Sequence, residues 1–305
     1  MNRDLTFRIA RLSDLHEILK LSEGIYDGHD YLPLRYQAWM NMDKLDVMLA
    51  YMGEKLAGLV ACSVVDEGRT AIRRAGRTLA EFRGQGVYNQ LSQAMSEFIQ
   101  RRYPNVCRER FTTGESYSSL TKLLQLDVLN SYYNKNALYS HLVSTTIQIE
   151  ACPKEYLCDV IFSRPVAQKL FPNNLLVIEH FPIEPLRSNI DYLQQEIDLY
   201  FAVEKCSDKD FPKSVSFGVL SPRVNFVHWS VNVYTSDSVL YEAHLLHQFQ
   251  RAREVIKGDF SFDTFQDKSL THWGKRVLQQ QLKLQLDDEM SKTSAKLYEK
   301  KFPRP

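Results

Sequence analysis

The chain has 305 residues, of which 44% are hydrophobic and 25% charged, and its formal net charge at pH 7 is +1. These values are ordinary for a globular protein with a sizeable core, and they give no argument for binding nucleic acid or a membrane surface. The five cysteines lack the C-x-x-C spacing of a metal site, and no apolar signal segment follows Met1. We therefore expect a cytoplasmic protein with reduced thiols and no metal.

Hydrophobic periodicity and turn residues predict alternating strands and helices in the first part of the chain. Pro33 is expected to begin a helix, and Gly53 with Glu54 to join two strands as a hairpin. The predicted elements up to residue 112 are a strand at 8–10, helices after 13 and from 33, strands at 47–52, 56–65 and 69–79, a helix after 88, and a strand at 106–112.

A loop with two glycines joins the strand at 69–79 to the following helix. Its sequence is Arg83-Gly84-Gln85-Gly86-Val87-Tyr88, and Leu91, Met95 and Ile99 follow at helical spacing until Pro104. Free backbone N–H groups and the positive end of the helix dipole make such a loop an anion site, suited to a pyrophosphate. The glycines let the backbone approach a ligand without Cβ clashes.

Two common nucleotide-binding motifs do not match this loop. A dinucleotide fold needs G-x-G-x-x-G in its first βαβ unit, but Asn89 stands at the third glycine's position. A phosphate-binding Walker loop needs G-x-x-x-x-G-K-[ST], and no Lys-Ser or Lys-Thr pair follows here. Both readings of the loop as a nucleotide site are therefore excluded.

The loop instead resembles the R/Q-x-x-G-x-G/A pyrophosphate loop of the GCN5-related N-acetyltransferase (GNAT) superfamily, with Arg83 and Gly86 at matching positions. A short helix predicted at 118–126 and two strands flanking 134–136 complete the β-αα-βββ-α-β-α-ββ order of that superfamily. The resemblance implies an α/β (α+β) GNAT fold. Its mixed central sheet would splay between the strand ending at Thr78 and the strand at 106–112, and acetyl-CoA would enter the gap.

A closer resemblance concerns residues 24–39, GIYDGHDYLPLRYQAW, which are similar to the N-terminal signature of the vertebrate histidine N-acetyltransferase family. The run WSVNVY at 229–234 is similar to a strand in the second half of that family. The resemblance implies transfer of an acetyl group from acetyl-CoA to the α-amino group of a free amino acid, L-histidine in the family's namesake. The expected partner is thus a small-molecule amine, and the oligomeric state is left open.

The resemblance and the local sequence together predict three groups of site residues. The coenzyme would contact Thr78, Leu79 and the loop residues Arg83, Gly84, Gln85, Gly86, Val87 and Tyr88, with a backbone N–H near Leu79 polarising the thioester carbonyl. The acceptor would contact Asp30, Tyr31, Tyr36 and Arg74, for which a core, capping or surface role is the alternative. Glu81 is a candidate base acting through water, and Tyr117 a candidate acid for the leaving thiolate.

The second half of the chain restarts the alternation of strands and helices after a linker at 152–155. We expect a GNAT domain at 1–150 and a second mixed α/β domain at 151–305, ending in an amphipathic helix at 268–301. No R-x-x-G-x-G loop occurs in the second half, so no second coenzyme site is predicted. That this half is a degenerate GNAT-like unit closing over the first is a hypothesis.

Three residues depart from the superfamily pattern. Tyr88 replaces the last Gly or Ala of the loop, Thr121 stands where many members have a tyrosine acid, and Arg74 stands where relatives have a glutamate. Two alternatives to a free amino acid acetyltransferase follow from them and from the fold. One is a catalytically degenerate coenzyme-binding or regulatory protein, and the other is an acetyltransferase of peptide or protein amines.

Overall fold

The computed structural model describes residues 5–136, 147–206, 211–287 and 294–302. Its helices are α1 (Leu15–Ser22), α2 (Leu32–Trp39), α3 (Val87–Arg102), α4 (Lys154–Tyr156), α5 (Arg164–Leu170), α6 (Arg187–Leu193), α7 (Ser238–Val255) and α8 (Thr271–Lys275). Its strands are β1 (Leu5–Ile9), β2 (Leu45–Met52), β3 (Lys55–Val65), β4 (Thr70–Thr78), β5 (Arg108–Thr113), β6 (Thr121–Tyr133), β7 (Ile149–Ala151), β8 (Leu176–Ile178), β9 (Phe181–Ile183), β10 (Asp198–Glu204), β11 (Val215–Pro222), β12 (Val227–Tyr234), β13 (Phe260–Gln266), β14 (Gln285–Leu286) and β15 (Ser294–Lys301).

The local elements of the first half up to β5 form where the sequence predicts them. Pro33 is the second residue of α2, and Gly53 takes a φ of +64° in the turn between β2 and β3. Helix α3 buries Leu91, Met95 and Ile99 against the sheet, as their spacing requires. These elements bring the glycine loop to the end of β4.

One mixed sheet runs through both halves of the chain. Its strand order is β1-β2-β3-β4-β5-β15-β6-β13-β12-β11-β10-β7, with β14 also on β6, while β8 and β9 form a separate hairpin. Helix α3 covers one face of the first half, and α1, α2 and parts of the second half cover the other. The expected α/β class, with a mixed sheet and a mixed second half, is confirmed.

The central strands β4 and β5 diverge, which opens the predicted gap in the sheet. They are parallel, and their register holds only from Thr70–Ile72 to Arg108–Arg110. Beyond Ile72, β4 continues to Thr78 without β5 beside it. A bulge at Ala75, with a φ of +55°, interrupts the alternation of β4 just where the gap begins. We call this gap the β4–β5 cleft.

The end of the first half differs from the prediction. The helix expected at 118–126 is wrong, because Thr121–Tyr133 is strand β6, which lies between β15 and β13. Long-range pairing on both sides of β6 outweighs the helical spacing of its leucines. The strand expected after residue 136 falls largely outside the described residues.

The C-terminal segment supplies a central strand of the first half. The helix predicted at 268–301 is wrong beyond Gln281, where α8 and the π-helical turn that follows it end. Strand β15 then inserts between β5 and β6, antiparallel to both. The domain boundary at residue 150 stays a prediction, since both halves share this sheet.

Candidate functional site

The N-terminus of α3 is open to an anion. Gly86 is the residue before the helix, with a φ of +76°, and no side chain caps the first-turn amides. A Cβ added at Gly84 would meet nothing within 4 Å, and one at Gly86 would only reach the side chain of Gln90 at 4.0 Å. The space beside the loop is a pocket of about 390 Å³ lined by Thr78, Phe82, Arg83, Gly84, Gly86, Val87, Tyr88 and Asn89. The residues present therefore fit a pyrophosphate.

Tyr88 does not block this anion site. Its ring lies over Gly76 on β4, where a Cβ would come within 2.5 Å of Tyr88 Cε2. The absence of a side chain at Gly76 is what gives the ring its place. The bulky residue at the end of the motif therefore packs on β4 at Gly76, away from the glycines of the loop.

Near Leu79, the backbone amide that points away from β3 is that of Thr78. The N–H of Leu79 donates to Ala57 O at 2.9 Å, so it is part of the β3–β4 pairing. The carbonyl of Thr78 accepts from Arg83 Nε at 3.2 Å, on the opposite edge of the strand. Because the N–H and C=O of one strand residue point to the same edge, the Thr78 amide faces the cleft.

The two predicted catalytic side chains, Tyr117 and Glu81, have different neighbours. The hydroxyl of Tyr117 donates to Glu115 Oε2 at 3.0 Å, and its backbone N–H donates to the hydroxyl of Tyr298 on β15 at 3.1 Å. Burial raises the pKa of the Tyr117 hydroxyl, and the bond to Glu115 raises it further. Glu81 is exposed in a 3-10 turn and pairs with Lys55 at 2.6 Å. Its role as a base stays a prediction.

Three guanidinium groups surround the ring of Tyr31 on the other side of the sheet. The Cζ atoms of Arg35, Arg77 and Arg223 lie 5.1, 5.3 and 5.0 Å from its centroid. Asp30 is buried, accepts from the N–H of Leu32 at 2.9 Å and pairs with Arg77. The predicted acceptor residues Asp30 and Tyr31 are thus part of a buried ionic cluster beside the last residues of β4.

Carboxylates from the second half complete this cluster. Glu179 pairs with Arg35 at 3.1 Å and Arg223 at 3.0 Å, while Glu196 pairs with Arg35 at 3.2 Å and also with Arg74. Burial raises the pKa of the Glu179 carboxyl, but the guanidinium groups of Arg35 and Arg223 outweigh it, and the net pKa is lowered. The cluster therefore contains four guanidinium groups and three carboxylates, which leaves an excess of one positive charge. The guanidinium groups are those of Arg35, Arg74, Arg77 and Arg223, and the carboxylates are those of Asp30, Glu179 and Glu196.

Tyr36 and Arg74 have the contacts of core residues. Tyr36 is fully buried and its hydroxyl donates to Arg11 O at 2.7 Å. Arg74 stacks 4.4 Å from the ring of Trp39 and binds Glu196 through both terminal nitrogens. The glutamate that relatives were expected to carry at position 74 is therefore replaced by a guanidinium whose charge Glu196 balances.

A chain of two histidines and an aspartate connects the two halves beside this cluster. His29 Nδ1 lies 2.7 Å from His228 Nε2, and His228 Nδ1 lies 2.6 Å from Asp263 Oδ2. The ring of His29 also stacks on Phe226 at 3.8 Å. No sequence pattern joins His29 to His228, because the two residues are 199 positions apart.

The corresponding strands of the second half do not open. Strands β12 and β13 are parallel and paired over five positions, from His228–Asn232 to Ser261–Phe265. The helix that follows β12, α7, is capped by Asp237, whose Oδ1 accepts from the N–H groups of Val239 and Leu240 at 2.8 and 3.2 Å. A carboxylate of the chain itself therefore occupies the place an anion would take at this helix end.

The two histidines of the His244-x-x-His247 sequence bind hydroxyl groups in or next to neighbouring strands. Both ring nitrogens of His244 are bonded, to the hydroxyls of Ser216 and Ser214, at 2.8 Å each. No group of three His, Cys, Asp or Glu side chains among the described residues is arranged to hold a metal ion. None of the helices in residues 5–136, 147–206, 211–287 and 294–302 is long and apolar enough to cross a membrane.

Comparison with known proteins gives consistent relatives. The family described as "Histidine N-acetyltransferase, C-terminal" matches residues 145–267. A histidine N-acetyltransferase of Xenopus tropicalis is 31% identical over 208 residues, which cover 63% of this chain and 64% of that protein. A histidine N-acetyltransferase of Oreochromis niloticus is 25% identical over 288 residues, which cover 87% of this chain and 85% of that one.

Solved structures agree on the fold. A tandem GNAT protein from the clavulanic acid biosynthesis pathway superposes with a TM-score of 0.61 at 10% identity, over 98% of this chain and 99% of its own. This likeness bears on the fold alone, and it includes both halves of the chain. Together, these comparisons show a chain with the GNAT fold that is similar to histidine N-acetyltransferases in sequence, and its alignment with the Xenopus tropicalis protein spans a little under two thirds of that protein.

Proposed function

We propose that the protein transfers an acetyl group from acetyl-CoA to the α-amino group of a free amino acid, histidine or one of similar size. The observation that carries the proposal is the uncapped N-terminus of α3 at the mouth of the β4–β5 cleft, with the open space at Gly84 and Gly86. That combination offers backbone amides for a pyrophosphate and a gap in the sheet for the arm that carries the thioester.

Two features support an acceptor that is a small molecule with a carboxylate. The turn between β11 and β12 lies against the segment before α2, with Val224 N donating to Asp30 O at 3.1 Å and Asn225 N to Gly28 O at 3.0 Å. This contact narrows the acceptor side, which disfavours an extended peptide. The excess positive charge of the cluster around Tyr31 would be balanced by the α-carboxylate of an amino acid.

In this proposal the chain contributes mainly binding and orientation. Amides of the glycine loop hold the pyrophosphate, and the Thr78 amide donates to the thioester oxygen as negative charge develops there, a contact worth about 3 kcal/mol. The amine attacks the acetyl carbon directly from the acceptor side. The hydroxyl of Tyr117, whose pKa is raised by burial, remains protonated at neutral pH and is the proposed proton donor to the departing thiolate.

The test is thiol release from acetyl-CoA against a panel of free amino acids that includes L-histidine, with short peptides in parallel. Turnover with an amino acid supports the proposal, and turnover with peptides alone contradicts it. Gly86→Ala should weaken acetyl-CoA binding in calorimetry at least tenfold, because a methyl group intrudes where phosphate must approach the amides. Gly53→Ala is the matched control, since it also places a Cβ at positive φ, with open space around it, in a distant turn. Binding without turnover on any acceptor would favour the degenerate alternative.

A further inference from the structure

The polar chain from Asp263 to His29 has one consistent arrangement of protons when Asp263 is ionised and both imidazole rings are neutral. The carboxylate can only accept, so His228 donates its Nδ1–H to Asp263 and its Nε2 becomes an acceptor. His29 must then donate its Nδ1–H to His228 Nε2, which leaves the lone pair of His29 on Nε2. Among the described residues, that Nε2 has no hydrogen-bond partner.

His29 stands next to the acceptor side of the β4–β5 cleft. Its chain neighbour Asp30 pairs with Arg77, which directly precedes Thr78, and the ring of Tyr26 lies 5.7 Å from Arg77 Cζ. The His29 side chain is half-buried, whereas His228 and Asp263 are buried behind it. A basic nitrogen therefore lies at the end of a hydrogen-bonded chain, on the segment that borders the end of β4.

We propose that His29 is the general base of the transfer and that His228 and Asp263 are its positioning residues. This inference rests on the proposed function for the identity of the reaction. The amine nitrogen bonds to the acetyl carbon while its proton passes to His29 Nε2. The carbon–sulfur bond breaks with its electron pair on sulfur, and the thiolate takes a proton from the hydroxyl of Tyr117. The positive charge formed on His29 is stabilised through His228 by the carboxylate of Asp263.

The electrostatic surroundings keep His29 available as a base. Burial lowers the pKa of its imidazole, and His228 and Arg223 lower it further, while Asp263 and Asp287 raise it. The net pKa is below the ordinary 6.5, so the ring is neutral at pH 7 and can accept a proton. Activity should therefore fall on the acid side, as His29 becomes protonated.

The kinetic test compares kcat/KM against pH for the full chain with its best amino acid. His29→Gln should lower kcat by about 10²- to 10⁴-fold, remove the acid limb and leave the KM for acetyl-CoA unchanged. His228→Gln and Asp263→Asn should lower kcat less and shift the acid limb, because they disturb the tautomer of His29 rather than replace it. His247→Gln is the matched control, since its ring also bonds a hydroxyl, that of Tyr200, but stands outside the chain of three. An His29→Gln enzyme within twofold of the parent, with the same acid limb, would overturn the assignment.

A second measurement separates this inference from the proposed function. Ring-nitrogen NMR of the full chain at neutral pH should show His29 protonated on Nδ1 and unprotonated on Nε2, with Asp263→Asn disturbing that state. The opposite tautomer of His29 would refute the relay whether or not any amino acid is acetylated. Failure of the amino acid panel with the expected tautomer present would instead count against the proposed function alone.

Discussion

Strand β15 is the part of the fold on which the joining of the two halves most depends, and Leu297 tests it. Leu297 is fully buried, lies opposite Thr112 of β5 on one side and Leu124 of β6 on the other, and belongs to a core cluster with Val177 and Phe265. Leu297→Ala removes buried side-chain atoms and leaves a cavity, because the two flanking strands are held in place and cannot move in to fill it. The cost in unfolding free energy should be about 3 to 4 kcal/mol, toward the upper part of the range for buried leucines.

The assay is urea unfolding of the full chain, with a fall in Tm of roughly 5 to 10 °C as an independent reading. Leu34→Ala is the matched control, because Leu34 is 53% exposed on α2 and its truncation should change stability by less than about 0.5 kcal/mol. If the two variants unfold at the same urea concentration, β15 does not lie in the centre of the sheet. A fragment ending at residue 150 lacks this strand and should therefore fail to fold cooperatively.

Three further predictions concern single contacts. Gly76→Ala should destabilise the fold by about 1 to 3 kcal/mol, since its Cβ would lie 2.5 Å from Tyr88 Cε2, and Tyr88→Ala should recover most of that loss in a double-mutant cycle. Asp237→Ala should cost about 1 kcal/mol through the lost cap of α7, measured by urea unfolding, while acetyl-CoA still binds once per chain. Because the folded-state pKa of Glu179 is lowered, its contribution to stability is present above its ordinary value of 4.5 and is lost as the pH falls further. Glu179→Gln should lower Tm at pH 7 and flatten the dependence of Tm on pH below 5.

A different experimental result would contradict each of these three predictions. Additive effects of the two substitutions in the cycle would mean that the ring of Tyr88 does not rest on Gly76. A second equivalent of bound acetyl-CoA in Asp237→Ala would mean that the second half retains a coenzyme site. A parent protein whose Tm does not fall between pH 5 and pH 3 would contradict the ionised state of Glu179 in the fold.

The sequence predicts the first half well up to β5 because its signals are local. Pro33 begins α2, Gly53 permits the hairpin turn, and the glycine loop ends at the helix whose spacing is plain in the sequence. The prediction fails at β6, where leucines with helical spacing form a strand because β15 and β13 flank it. Nothing in residues 294–301 indicates a partner in residues 108–113, since pairing over such a separation has no local signature.

The candidate site also has one part with a local sequence signal and one part without. The proposed coenzyme side depends on a contiguous loop, so a sequence motif can indicate it. The ionic cluster around Tyr31, the proposed acceptor side, is built from side chains of both halves, such as Glu179 and Arg35, and no spacing rule joins them. His29 lies inside the signature at 24–39, so the resemblance drew attention to its segment but not to its partner.

The shared sheet gives the His29 relay a rigid geometry. Asp263 on β13 is paired with Asn130 on β6, β6 is paired with β15, and β15 with β5, the far wall of the β4–β5 cleft. Backbone hydrogen bonds therefore connect the aspartate of the second half to the cleft of the first through adjacent strands, with no linker between them. A base positioned through such a frame loses little orientational freedom when the amine binds, which favours catalysis by positioning. In the proposed mechanism, the second half supplies His228 and Asp263, which position the base carried by the first half.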